Sequence, residues 1–236
     1  MRGYAPTAIP ADGAYDVGAL AADAVALHEA LGGDRDAVLV GHDWGAEAAY
    51  RAAACAPDRW RRLVTLAVPP AALDRVLFSD YEQLKRFFYL CMFRDPDGLA
   101  EVVVASDGMS FLDKLWRDWS PGYQPGEHLT RVKQCLREPA NLAAAIGYYR
   151  AAGAAGGIAQ TAARSAGEDQ AAGRQAPQPM LYLHGTRDGC ISVELARGAE
   201  RLLAPSSRMI VIDDAGHFLH LEKPGEVNDH ILTWVS

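Results

Sequence analysis

Residues 37–46 read Ala-Val-Leu-Val-Gly-His-Asp-Trp-Gly-Ala, a β-branched apolar run that breaks at Gly41-His42-Asp43-Trp44-Gly45 and passes directly into an alanine-rich helical stretch. A strand that turns so abruptly into a helix is a strained corner, and the corner leaves little room for a Cβ on either side of its tip, so Gly41 and Gly45 are expected to supply that room. The residue at the tip is Asp43. Serine in this place would form an acyl-enzyme with esters, whereas a carboxylate attacks saturated carbon and becomes an alkyl ester of the protein. The tip residue therefore points away from esterase chemistry.

A nucleophile on such a corner needs an acid and a histidine later in the chain, each after its own strand. Pro179-Met180-Leu181-Tyr182-Leu183-His184 reads as a buried strand, and Gly185-Thr186-Arg187-Asp188 follows as a loop. Asp188 is the candidate orienting acid. Arg208-Met209-Ile210-Val211-Ile212-Asp213 reads as a further strand, followed by Asp214-Ala215-Gly216-His217-Phe218. His217 is the candidate base, which would deprotonate the water that hydrolyses the ester on Asp43 while Asp188 fixes its tautomer. Each residue also has a plainer reading: Asp188 as a turn residue bonding its own backbone, His217 as a structural histidine near His184 and His220. The order and setting of all three favour the catalytic reading. His42 is expected to point away from the tip and to pack, and Cys190 to be a small buried residue.

The elbow, the Gly-Thr-Arg-Asp loop, and Asp-Ala-Gly-His followed by Leu221-Glu222-Lys223-Pro224-Gly225-Glu226-Val227 resemble the α/β-hydrolase superfamily, within it the epoxide hydrolase and haloalkane dehalogenase branch. The resemblance implies an α/β fold with a parallel sheet and an inserted helical cap. Fluoroacetate dehalogenases of this superfamily typically carry arginine next to the nucleophile to hold a substrate carboxylate. Trp44 stands there instead, making haloacids poor candidates.

Residues 62–69, Arg-Leu-Val-Thr-Leu-Ala-Val-Pro, read as a strand, and the next recognisable strand begins only near Met180. An intervening hundred or so residues is too long for an ordinary loop. The expected organisation is thus a partial core over 1–70, a helical cap and linker over 71–178, and the remaining core over 179–236. In the cap, Phe87-Phe88-Tyr89-Leu90-Cys91-Met92-Phe93 and Ile146-Gly147-Tyr148-Tyr149-Arg150 resemble epoxide hydrolase segments in which two tyrosines donate to the epoxide oxygen as the ring opens. Tyr89 and Tyr149 take those places, Tyr149 rather than Tyr148 by its position before Arg150. An alkoxide is a poor leaving group, so phenols near pKa 10 can stabilise it and supply a proton. Halide leaves without such help, and a dehalogenase would favour indole or amide N–H groups, of which Trp44 could be one. Trp116-Arg117-Asp118-Trp119-Ser120-Pro121-Gly122 is expected to wedge a cap helix against a turn, without chemistry.

Strands are expected near 37–41, 62–68, 180–184 and 208–213, and helices near 15–31, 46–56, 193–204 and 225–235. The opening Met1-Arg2-Gly3-Tyr4-Ala5-Pro6 resembles the family loop just after the strand that precedes the elbow strand. The resemblance therefore implies that the family's first strands, and a histidine-glycine loop giving one oxyanion N–H, are missing, leaving the elbow strand at an exposed edge. Such an edge could pair in a homodimer, and a catalytically silent binding module is the reading from another functional class.

With 236 residues and 50% hydrophobic content the chain can bury a real core. A net charge of −7, without a basic run, makes nucleic acid and anionic membranes poor partners. No apolar run approaches a membrane span and no signal pattern opens the chain, so a cytoplasmic protein is expected. Cys55, Cys91, Cys135 and Cys190 form no C-x-x-C pair, which suggests neither a disulfide framework nor a metal site. The Ala/Gly/Gln-rich residues 151–179 read as a linker. The expected partner is a small hydrophobic molecule, an epoxide or alkyl halide, and the chemistry requires no cofactor.

Overall fold

The computed structural model describes residues 1–70, 77–154 and 176–236. Most of the expected linker, 155–175, lies outside the described residues. Four parallel strands form one sheet in the order β1-β2-β3-β4: β1 Val38–His42, β2 Arg62–Leu66, β3 Met180–Gly185 and β4 Arg208–Ile212. Strand β1 lies at one edge of this sheet, and Val40 on it is half exposed. The expected strand 62–68 ends at Leu66 because Ala67 turns to a positive φ of 66°, incompatible with extended backbone.

Alternation along the strands sorts side chains to two faces. Leu63 and Met180 turn to one face and pack with Ala21, Ala52, Ala53 and Trp60. Val64, Leu66, Leu181 and Leu183 turn to the other and pack with Ile212, Ala215, Leu219 and Val227. All six residues of β3 are buried, as a central parallel strand covered on both faces requires.

Helix α1 (Val17–Ala30) starts where Asp16 caps the Ala19 N–H at 3.1 Å, and it packs on α2 (Trp44–Cys55). Ala46, Ala49, Ala52 and Ala53 are almost completely buried, and their small side chains let α2 lie close to α1 and the sheet. Between β2 and β3 come α3 (Tyr81–Arg86), α4 (Phe88–Phe93), α5 (Leu99–Ala105), α6 (Ser110–Trp119), α7 (Glu127–Cys135) and α8 (Pro139–Ala154). Their apolar sides build a separate cluster, with Leu90, Phe93, Val104, Leu115 and Ile146, that reaches the sheet through Tyr182. The expected helix 193–204 is instead a short α9 (Val193–Ala196) running into a 3-10 segment, Arg197–Leu202, with Gly198 at the change of pitch. Helices α10 (Leu219–Glu222) and α11 (Pro224–Val235) close the chain. Among the described residues no helix is long and apolar enough to cross a membrane.

Candidate active site

Asp43, Asp188 and His217 each follow the carboxyl end of a strand, β1, β3 and β4 respectively, so parallel pairing brings the three loops to one rim of the sheet. Asp43 sits at φ 53°, ψ −122°, a conformation disfavoured for a residue with a Cβ and held here by the strand before it and the helix after it. A Cβ on Gly41 would lie 2.1 Å from the Gly45 carbonyl oxygen, which closes that position to any other residue. At Gly45 the expectation fails, because an added Cβ would meet nothing within 4 Å beyond its own helical turn. The strain is thus met on the strand side of the tip.

His217 is fully buried between two carboxylates: its Nδ1–H donates to Asp188 Oδ2 at 3.0 Å, and its Nε2 lies 3.2 Å from Asp43 Oδ2. The other oxygen of Asp188 accepts the backbone N–H groups of Cys190 and Ile191 at 2.7 and 2.9 Å. Burial alone would strip the proton from His217, but the charge and hydrogen bond of Asp188, then those of Asp43, outweigh it and push the imidazole up to about 10. For Asp43 burial opposes ionisation, yet the His217 hydrogen bond and charge, with the Trp44 backbone N–H, hold the carboxyl below the usual range. Asp188 is held low against the same penalty by His217 and His184. The resting site contains two carboxylates and one imidazolium.

His42 points away from the tip as expected, but it does more than pack, since its Nε2–H donates to the His217 carbonyl at 2.9 Å. Its ring lies between those of His217 and His220, with centroids 5.0 and 4.5 Å away. Burial and the His217 charge push its pKa down to about 3. His184 is buried beneath Asp188, donating from Nε2 to the Ile191 carbonyl at 3.0 Å and accepting at Nδ1 from Tyr182 at 2.7 Å. It is a structural histidine.

An aromatic wall runs from Trp44, beside Asp43, to His217. The Trp44 ring meets Tyr149 at 5.2 Å between centroids, Tyr149 meets Tyr89 at 5.9 Å, Tyr89 meets Trp119 at 5.2 Å, and Trp119 meets His217 at 5.0 Å. Tyr89 and Tyr149 are raised well above 10, first by burial; the Asp43 charge acts on both hydroxyls. Tyr148, one position earlier on α8, turns away and donates to the Arg2 carbonyl at 2.6 Å. Arg150 anchors this helix by pairing its two terminal guanidinium nitrogens with Glu101 at 2.6 and 2.8 Å. Cys190 is buried as expected, its sulfur 3.5 Å from the Tyr89 hydroxyl.

Two contributors escape sequence reasoning. Tyr4, in the opening loop, packs edge-on against Tyr148 at 5.7 Å between centroids and is raised by burial and by the charge of Asp43. Trp119, expected to lack any part in the site, forms its wall, and its carbonyl accepts from both Gly189 N–H and His217 N–H at 3.0 Å. Neither contact leaves a trace in periodicity, since both depend on where α6 and α8 meet the strand ends.

A family model described as the alpha/beta hydrolase fold matches residues 1–224. Epoxide hydrolase A of Mycobacterium tuberculosis is 29% identical over 270 residues, covering 100% of this chain and 80% of that protein. Epoxide hydrolase 2 of Siraitia grosvenorii is 29% identical over 274 residues, covering 100% and 81%. The crystal structure of an epoxide hydrolase from Bacillus megaterium superposes with a TM-score of 0.82 over 99% of this chain and 81% of that one; at 23% identity this is a likeness of fold.

Proposed function

From the premise that the chain belongs to the α/β-hydrolase fold family, we propose that this enzyme opens epoxides to vicinal diols through an ester on Asp43. The observation that carries this reading is the placement of His217 between two carboxylates, 3.2 Å from the one on the elbow. A carboxylate nucleophile needs no base, and an imidazolium cannot act as one. Attack by Asp43 on an epoxide carbon breaks the ring C–O bond, and the departing oxygen takes a proton from Tyr89 or Tyr149. Esterification removes the charge beside His217 Nε2, which lowers its proton affinity. The tyrosinate, whose burial makes it strongly basic, recovers a proton at the expense of His217.

Neutral His217 then takes a proton from water, and the hydroxide adds to the ester carbonyl, whose oxyanion meets the Trp44 N–H. Breakage of the ester C–O bond releases the second diol oxygen with the proton of the added hydroxyl. Asp43 carboxylate and His217 imidazolium are restored. Formation of the ester is thus what turns His217 into a base. Residues 71–178 act in this reading as the cap that carries both tyrosines, and the aromatic wall suits a hydrophobic substrate.

One observation favours haloalkane dehalogenation as a second reading. The buried Trp119 indole N–H has no hydrogen-bond partner among the described residues, although its ring touches that of His217. Mass spectrometry of the His217→Gln variant after exposure to styrene oxide separates the two. An added substrate mass, absent when Asp43→Asn is included, supports the epoxide reading; an adduct formed only with a bromoalkane overturns it.

A further inference from the structure

The loop that presents Asp188 is bonded by β4 and the segment after it at Thr186 and Arg187, and from Asp188 onward chiefly by the helices between β2 and β3. Gln83 on α3 is completely buried, donates from Nε2 to the Cys190 carbonyl at 2.7 Å, and accepts the Ser192 N–H at Oε1 at 2.9 Å. One turn on, Arg86 donates to the Asp188 carbonyl at 2.5 Å. From α6, the Trp119 carbonyl accepts Gly189 N–H and His217 N–H, both at 3.0 Å. The approach is so close that a Cβ on Gly189 would lie 1.8 Å from the Asp118 carbonyl oxygen. Across residues 188–192, the main-chain partners supplied from outside the loop therefore include Arg86, Trp119 and Gln83, with His184 from β3 on the Ile191 carbonyl.

We infer that Gln83 is a positioning residue for the hydrolytic half of the reaction, clamping the Cys190–Ser192 backbone so that the N–H groups of Cys190 and Ile191 hold the Asp188 carboxylate aimed at His217. A buried amide that makes both of its bonds to one loop fixes that loop's separation from α3, and no apolar side chain can replace it. Arg86 supports the same loop two residues earlier, at Asp188 itself. The alkylation step uses Asp43 and the tyrosines, and it meets the clamp only where the Cys190 sulfur lies beside the Tyr89 hydroxyl. Loosening it releases the acid loop, and a misplacement on the order of 1 Å in such a support can lower a rate about 100-fold.

The kinetic arm of the test rests on the function proposed above; the spectroscopic arm does not. Gln83→Met keeps the length of the side chain and loses both hydrogen bonds. Gln178→Met is the matched control, since Gln178 is likewise buried and donates to the Pro57 carbonyl at 2.8 Å, away from the triad. The ring nitrogen resonances of His217 in 15N-histidine-labelled protein are expected to move in Gln83→Met and to stay in place in Gln178→Met. In single turnovers with styrene oxide, ester formation stays within about threefold of the parent while ester hydrolysis slows about 10-fold to 100-fold. Should Gln83→Met fold poorly, Arg86→Gln, at a partly exposed position, gives the same readouts. Unmoved His217 resonances in the folded variant, or an equal movement in Gln178→Met, overturn the inference. Absence of any ester with a shifted His217 resonance refutes the epoxide reading and leaves the clamp standing.

Discussion

Replacing Asp43 by asparagine keeps the shape of the elbow while removing one of the two charges that hold His217 protonated. The two groups are 3.2 Å apart. At an effective dielectric constant of about 20, a unit charge at this distance is worth about 5 kcal/mol, or nearly four pKa units. The Asp43 side chain is 28% exposed, and solvent screening trims the effect to roughly three units. His217, at about 10 in the parent, is therefore expected to titrate near 7 in Asp43→Asn, with Asp188 left as its remaining carboxylate partner. The same fall should accompany ester formation, which neutralises Asp43 in the same way. Titration of the His217 ring resonances by NMR measures it directly. If the pKa of His217 in Asp43→Asn stays within about one unit of the parent value, the ester does not create the base and the proposed switching fails.

Other consequences follow from the same contacts. Tyr149→Phe should slow ester formation with epoxides about 100-fold, measured by rapid-quench mass spectrometry; an unchanged rate removes Tyr149 from the ring-opening step. Tyr148→Phe should lose about 1 kcal/mol of stability in urea denaturation through its bond to the Arg2 carbonyl while keeping the alkylation rate. His220, pushed down to about 4 by burial and then by the His217 charge, stays neutral in the fold while the unfolded chain takes up a proton below about 6.5. Its contribution is thus present above that value and lost as pH falls toward 4. Between pH 8 and pH 5, His220→Phe should lose about 2 kcal/mol less stability than the parent; equal losses would contradict it. Gly41→Ala, whose Cβ would press on the Gly45 carbonyl, should give no folded protein by circular dichroism.

The sheet was legible because its strands are short apolar runs ended by glycine, proline or a charged turn. All four lie within one or two residues of where the sequence places them, and β2 differs only because Ala67 adopts a positive φ. The convergence of Asp43, Asp188 and His217 was legible for a related reason, since each follows a strand end and strand order fixes which ends converge. From α8, Tyr149 turns to Tyr89 and Trp44, whereas Tyr148 reaches the Arg2 carbonyl. What stayed hidden depends on contacts between distant segments. Gln83 looks like an ordinary polar position on a short helix, yet α3 lies directly over the acid loop and buries it completely. The carbonyl of Trp119 has no side-chain identity to read at all. The reach of His42 to the His217 backbone depends likewise on how the loop after β4 folds over the elbow.

The central claim, that Asp43 itself becomes bonded to substrate, is tested most directly by a single turnover in 18O-labelled water with enzyme in excess over styrene oxide. An ester on Asp43 predicts that the first diol carries an unlabelled oxygen taken from the carboxylate, and that label then appears in the peptide containing Asp43. A first-turnover diol carrying 18O, with that peptide unlabelled, would mean that water attacks the epoxide directly and would contradict the account.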